Sequence, residues 1–330
     1  VTVLTNRWKR FGRASAGVFV AMTGMSALAA EPASEAAQRW PTWNEGDTAV
    51  YQIVVHETRE TADVRLGKPV ELDLRRAVTL SVRAGEIDAD GLRLIRCTFD
   101  RIQLAGRNGD QPIWYDSYVN APGGGNPLAD LLGVIVGRTF EIRATPDGRF
   151  VEVRHIDDMW GGADLFIPPA AGLSVQMLFR DLSMHQLLTE ALAPPLPRDL
   201  SRRGATCEAS IAGDVPMVTP LAWDATFEVV GPQEVDRQPC VYLRGTGAVR
   251  VNRHPDDPTD AGLLSTVRSG TQQAHLYVDP KTGRVIRQGI VRDLTLDVQL
   301  KPPAGGETPS ATITQRRTIM VMRAYPRSHK

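Results

Sequence analysis

Residues Gly137–His155, GRTFEIRATPDGRFVEVRH, spell out a β-hairpin. Phe140, Ile142 and Ala144 alternate with Thr139, Glu141 and Arg143, the period of two that gives a strand one dry face. Thr145-Pro146-Asp147-Gly148 puts Pro where a type I turn wants a fixed φ, and Gly where the chain needs φ > 0. Arg149–His155 leads back, with Val151 and Val153 expected on one face. The device returns at Ala274–Arg287, AHLYVDPKTGRVIR, where Asp279–Gly283 makes the turn. The two turn glycines lie 135 positions apart, and each is followed by Arg and two apolar residues. This repetition predicts a mainly β chain of two similar antiparallel halves with curved sheets.

The segments around the hairpins read the same way. Strands are expected at Thr48–Glu57, Val70–Ala84, Leu92–Leu104 and Ile113–Val119 in the first half. In the second they fall at Trp223–Val230, Cys240–Val251, Arg287–Leu300 and Thr312–Met322. Asn126-Pro127 reads as the cap and first position of a short helix, Leu128–Leu132. One longer amphipathic helix is expected at about 175–193, with Ser174 as cap. Its apolar residues Val175, Leu178, Phe179, Leu182, Leu188, Ala191 and Leu192 recur near the helical period. Ala193-Pro194-Pro195-Leu196-Pro197 stops it and marks the boundary between a first half (43–197) and a second (198–330).

The N-terminus carries the clearest functional signal. Arg7, Lys9, Arg10 and Arg13 precede an apolar run over Ala14–Met25, and Ala27-Leu28-Ala29 fits a cleavage site. Residues 1–29 are therefore expected to be a signal peptide, followed by a loose leader at 30–42, and the chain to be periplasmic or secreted. The apolar run is shorter than the ~20 residues a spanning helix requires. Without those 29 residues the chain holds 34 Lys+Arg against 38 Asp+Glu, no basis for binding nucleic acid. Export permits disulfides, and Cys207 and Cys240 in the second half are the candidate pair, with Cys97 set in a strand-like run.

Catalytic signatures are sparse. Two segments share an Arg-His-x-Asp-Asp pattern. They place His155, Asp157 and Asp158, and again His254, Asp256 and Asp257, where a divalent metal or an acid–base pair could be held. Capped turns at two strand ends account for the same residues. The sequence has no H-E-x-x-H, no C-x-x-C and no nucleophile elbow, so a non-enzymatic protein without a cofactor is expected.

Trp43-Asn-Glu-Gly46-Asp47, Tyr115-Asp116-Ser117 and the Gly137-x-x-Phe140-x-Ile142…Asp147-Gly148 hairpin resemble an uncharacterised family of exported β-rich bacterial proteins of planctomycete-like type. The long strands with a capping helix are also similar, at the level of fold, to periplasmic lipoprotein carriers. These resemblances carry no catalytic residues across. The expected role is binding of an apolar small molecule, a lipid or an envelope protein segment between sheet and helix, with Leu178, Phe179, Leu182, Phe140 and Ile142 lining the cleft. A structural module of the cell envelope and a metal-dependent hydrolase built on the Arg-His-x-Asp-Asp segments are the alternatives.

Overall fold

Period-two alternation dominates the chain, and strands follow from it. The computed structural model describes residues 38–63, 68–160, 175, 177–215, 219–251, 263–300 and 310–324. The segment expected to be a signal peptide, Ser174 and the second Arg-His-x-Asp-Asp segment (His254, Asp256, Asp257) lie outside these residues.

The strands are β1 Gln38–Arg39, β2 Thr48–Asp63, β3 Val70–Ile87, β4 Arg93–Asn108, β5 Gln111–Asp116, β6 Thr139–Ala144, β7 Phe150–Arg154 and β8 Leu196–Pro197. The chain continues with β9 Thr206–Val215, β10 Thr219–Val235, β11 Gln238–Val251, β12 Leu263–Val278, β13 Val285–Leu300 and β14 Ser310–Ala324. Three helices lie among the described residues: α1 Pro127–Leu132, α2 Ile156–Met159 and α3 Asp181–Leu192.

Twelve strands form one open antiparallel sheet, ordered β7-β6-β4-β3-β2-β14-β13-β12-β11-β10-β9, with β5 paired to β4 beyond the end of β6. The strands before and after α3 are joined where β2 meets β14 along its length. The two hairpins read from sequence occupy different places in this sheet. β6–β7 is its edge, and β12–β13 lies inside it.

Helix α3 shows how strongly the sheet is bent. It touches β7 and β9, the two edges, and also β13 and β14 in the middle. At ~4.8 Å per strand, a flat sheet of this width would hold its edges nearly 50 Å apart. A helix of 12 residues is ~18 Å long and ~10 Å across. It reaches all four strands only because the sheet wraps around it. Register shifts between Thr79 and Leu80, Val229 and Gly231, and Val267 and Ser269 add the local twist that such wrapping needs.

Residues 38–43 run across the two hairpin turns. β1 pairs with β8, Arg39 Nη2 donates to Lys281 O at 3.1 Å, and Thr42 N donates to Thr282 O at 2.7 Å. Both turn glycines meet this segment. A Cβ on Gly148 would stand 2.0 Å from Pro41 O, and one on Gly283 would stand 3.5 Å from Pro41 Cα. The residues expected to be a loose leader up to position 42 thus include, at 38–42, an ordered clasp over the two hairpin turns.

Some local expectations change. Val151 is the extra residue of a bulge: Arg143 pairs with Glu152 and Ala144 with Phe150, so Val151 points to solvent while Phe150 and Val153 face the core. The amphipathic helix packs on the sheet as expected, but α3 begins at Asp181 with Arg180 at its cap. The Cys207–Cys240 bridge is absent, and each thiol is free and buried. Cys207 lies opposite Phe227 and Cys240 opposite Gln233, on the two flanks of β10. That offset is roughly 15 Å or more along the strands, beyond any disulfide.

Gly148 has φ +97°, and backbone rather than a movable side chain occupies the space for a Cβ. Gly148→Ala is expected to cost more than the ~1–3 kcal/mol of the left-handed conformation alone. Gly46→Ala, at φ +82° with open space around it, should cost no more than that range. Urea unfolding of the two variants measures the difference.

Candidate functional site

The sheet's helix-covered face carries, beside its apolar side chains, a belt of polar ones. Strand register builds it. Gln272 of β12 lies directly opposite Arg292 of β13, Arg292 opposite Arg317 of β14, and Arg317 opposite Glu57 of β2. One rung further, Leu294 faces Gln315 and Gln315 faces Arg59. Arg76 of β3 lies diagonal to Glu57. Directly opposed residues share a face, with Cβ atoms ~5 Å apart, so the belt crosses four neighbouring strands without a break.

Helix α3 docks on the belt through Glu190. Arg292 Nη1 donates to Glu190 Oε1 at 2.8 Å, with the two side chains 3% and 2% exposed. Arg292 Nε donates to Gln272 Oε1 at 2.6 Å, and Gln288 Nε2 donates to Glu190 O at 2.9 Å. The Arg292 guanidinium also lies 4.9 Å from the centre of the Trp223 ring. Arg76 Nη1 donates to Leu178 O at 2.6 Å, with the guanidinium over Phe179. Burial and then the nearby Arg317 charge push Arg76 down to about 9, against a smaller upward pull from Glu57. Burial likewise lowers Arg292, opposed by Glu190.

The belt is not internally satisfied. Among the described residues, the buried donors Arg76 Nε, Arg292 Nη2, Arg317 Nε and Gln272 Nε2 have no hydrogen-bond partner, nor do the acceptors Glu190 Oε2 and Gln288 Oε1. Buried polar groups ordinarily find partners, and the concentration of open positions on this surface sets it apart.

Of the residues singled out from the sequence, only Leu178 and Phe179 touch the belt, through Arg76. Phe140, Ile142 and Phe179 are fully buried and interlock, with Phe99 between the two phenylalanines at ring separations of 4.8 and 6.1 Å. They fill the core under the helix. Leu178 is half-buried and packs against that core, while Leu182 is 45% exposed. His155 is exposed, with its Nδ1 3.0 Å from Asp158 Oδ2. Asp157 Oδ1 accepts from Asp181 N at 3.0 Å and Asp181 Oδ1 accepts from Ile156 N at 2.9 Å, a reciprocal clamp between α2 and α3. Among the described residues no group of three His, Cys, Asp or Glu side chains could hold a metal.

Sequence reasoning passed over Glu57, Arg59, Arg76, Glu190, Gln272, Arg292, Gln315 and Arg317. The signal was present: Arg292 and Gln288 sit at inward positions of the strand that alternates Leu294, Leu296 and Val298.

A second ordered cluster lies at β5. Asp116 takes two hydrogen bonds from Arg101, at 3.0 and 2.5 Å, and one from Gln103 at 2.9 Å. The Arg101 pairing, helped by Tyr118 N and Gln103, holds the Asp116 carboxyl down at about 2. Arg101 stacks on Tyr118, which is exposed together with Trp114 and Val119.

No protein-family model and no curated protein matches the chain. Among solved structures it is similar to lipovitellin, at 12% identity and a TM-score of 0.37 over 87% of this chain and 26% of that one. It thus spans about a quarter of that protein's length. An exported protein with a YmcC-like fold from Bacteroides fragilis aligns over 84% of this chain and 97% of its own, at 10% identity and a TM-score of 0.20. DynF of Micromonospora chersina aligns over 92% and 95%, at 9% and 0.21. These are distant likenesses, all with TM-scores below 0.5, and they assign no activity to this chain.

Removing one partner of the Glu190–Arg292 pair leaves an uncompensated buried charge. Arg292→Met is expected to cost about 3–5 kcal/mol, and adding Glu190→Leu to recover most of it, as read by urea unfolding of the double-mutant cycle. Asp116 adds an acid-sensitive term. Its folded pKa lies below its unfolded value of ~3.9, so its stabilisation is present above about pH 4 and lost as pH falls through 2. Asp116→Asn should flatten the loss of stability between those limits in acid titrations followed by circular dichroism.

Proposed function

We propose that the protein is an exported binding protein, without catalytic activity of its own, that holds an apolar ligand on the inner face of its bent sheet. The observation that carries this reading is the division of that face. On one side of the polar belt lies the aromatic core packed beneath α3. On the other lies a further apolar stretch, continuous with that core, with Leu221, Leu294, Leu296, Val298 and Ile313 buried and Val267 partly buried. A belt of charge costs stability inside a single closed core. It is physically reasonable where a core meets a compartment that takes up and releases a ligand with a polar part. The proposed ligand position is therefore beside the belt's unpaired donors rather than at Phe140, Ile142 and Phe179. The N-terminal leader supports export, and no helix among the described residues is long and apolar enough to cross a membrane.

The full chain, expressed with export and purified without detergent, is expected to carry extra mass in native mass spectrometry that is released by organic extraction. The stripped protein should then take up the apolar dye N-phenyl-1-naphthylamine with a rise in fluorescence. A bare mass combined with no dye uptake would sink this reading in favour of a structural envelope role.

A further inference from the structure

Resting on the apolar-ligand reading, we infer that the belt is an anion-recognition site, and that the ligand is a single-chain amphiphile with an anionic head. Charge balance carries the argument. The belt brings together four guanidinium groups, Arg59, Arg76, Arg292 and Arg317, against two carboxylates, Glu57 and Glu190. Glu190 is taken by Arg292 at 2.8 Å, and Glu57 approaches Arg59 at 4.0 Å. Arg76 and Arg317 have no carboxylate within ion-pair distance among the described residues, although Arg76 is only 5% exposed. Their charges repel each other, and Glu57 offsets that of Arg76 only in part. Arg76 is buried and Arg317 half-buried, and positive charge left in excess there calls for a counter-anion.

The unused donors give the same answer by direction. Arg76 Nε, Arg317 Nε, Arg292 Nη2 and Gln272 Nε2 are N–H groups on one face with nothing to donate to. A carboxylate or phosphate oxygen accepts several such bonds at once, and planar guanidinium groups suit it. The two unused acceptors, Glu190 Oε2 and Gln288 Oε1, fit ordered water at the same place. The position matters as much as the chemistry. Leu294 follows Arg292 by two residues and Leu296 by four, on the same face, so the apolar stretch begins roughly 7 Å from the guanidinium row. An alkyl chain lying along Leu294, Leu296 and Ile313 would present its head to Arg317.

The test compares palmitate with hexadecanol, which share a chain and differ in charge, by displacement of N-phenyl-1-naphthylamine from the full-length protein. Palmitate is expected to bind at least tenfold more tightly. Arg317→Gln should weaken palmitate by roughly 10- to 100-fold and leave hexadecanol within about threefold. Arg317→Lys, which keeps the charge, should restore most of the preference. The wild-type comparison needs no variant to fold, and circular dichroism checks those that are used. Equal binding of the two ligands, or a preference that survives Arg317→Gln, overturns the anion site and leaves the apolar-ligand reading standing. Binding of neither overturns the reading beneath it.

Discussion

The contact between Glu190 and Arg292 governs how this sheet is shaped. An open antiparallel sheet of twelve strands has no closure of its own, and its twist alone does not bring β7 and β9 to one helix. A helix that touches both edges must also be anchored in the middle, or the sheet could slide past it. Glu190 supplies that anchor twice over. Its carboxylate accepts from Arg292 on β13, and its carbonyl accepts from Gln288, one turn of the pleat away. Apolar packing has little direction, whereas a buried charge pair with a defined partner tolerates one register. The helix is therefore held at one height on the barrel-like wall, and the clasp at residues 38–43 can meet both hairpin turns.

This arrangement is expensive in a way that an apolar contact would not be. Desolvating Arg76 and Arg292 disfavours their charged forms, as the lowering of both shows. A Leu or Met at these positions would hold the helix with less penalty. The cluster at Arg143 makes a useful contrast. It meets Asp88, Asp90 and Glu152 and is raised by those hydrogen bonds, so it is a satisfied structural hub tying the β3–β4 turn to β6 and β7. The belt differs from such a hub because positive charge and donors remain in excess. Architecture explains the first cluster fully. It leaves the second with unfilled positions.

Much of the fold was legible because it is written locally. Alternation in Phe140–Ala144 and in Leu294–Leu300, and turn chemistry at Pro146-Asp147-Gly148 and Asp279-Pro280, depend on residues close in sequence. Even the overlooked strand β9 alternates Cys207, Ala209 and Ile211 with Glu208 and Ser210, but its small side chains weaken the hydrophobic signal. The bulge at Val151 was hidden because an extra residue keeps the same composition while inverting the faces beyond it. Leu182 was misplaced for a related reason: with α3 starting at Asp181, the buried stripe runs through Met184, Leu187, Leu188 and Ala191, and Leu182 falls outside it. The belt as a whole was beyond local reading. Gln272, Arg292, Arg317 and Glu57 come together only through register across four strands, and an inward Arg in a strand looks like any outward one until its partners are known.

The two turn glycines show what a repeated sequence device means here. β6–β7 forms an edge and β12–β13 an interior pair, so the hairpins do not occupy equivalent places along the sheet. What they share is a destination. Both turns come against Pro41, one by its carbonyl and one by its Cα, with Trp40, Arg39 and Leu196 beside them. A side chain at Gly148 would push the clasp away, one at Gly283 would crowd Leu196, and both turns must also adopt φ > 0 there. The same short grammar therefore arises at two distant points because the bent sheet delivers both turns to one segment. The clasp ties the two turns together at one end of the sheet. The rungs of Leu294, Leu296 and Val298 run away from it, past the belt, so chain closure and the proposed ligand stretch lie on opposite sides of the Arg292 row. Such separation lets one end stay fixed while the other receives a guest.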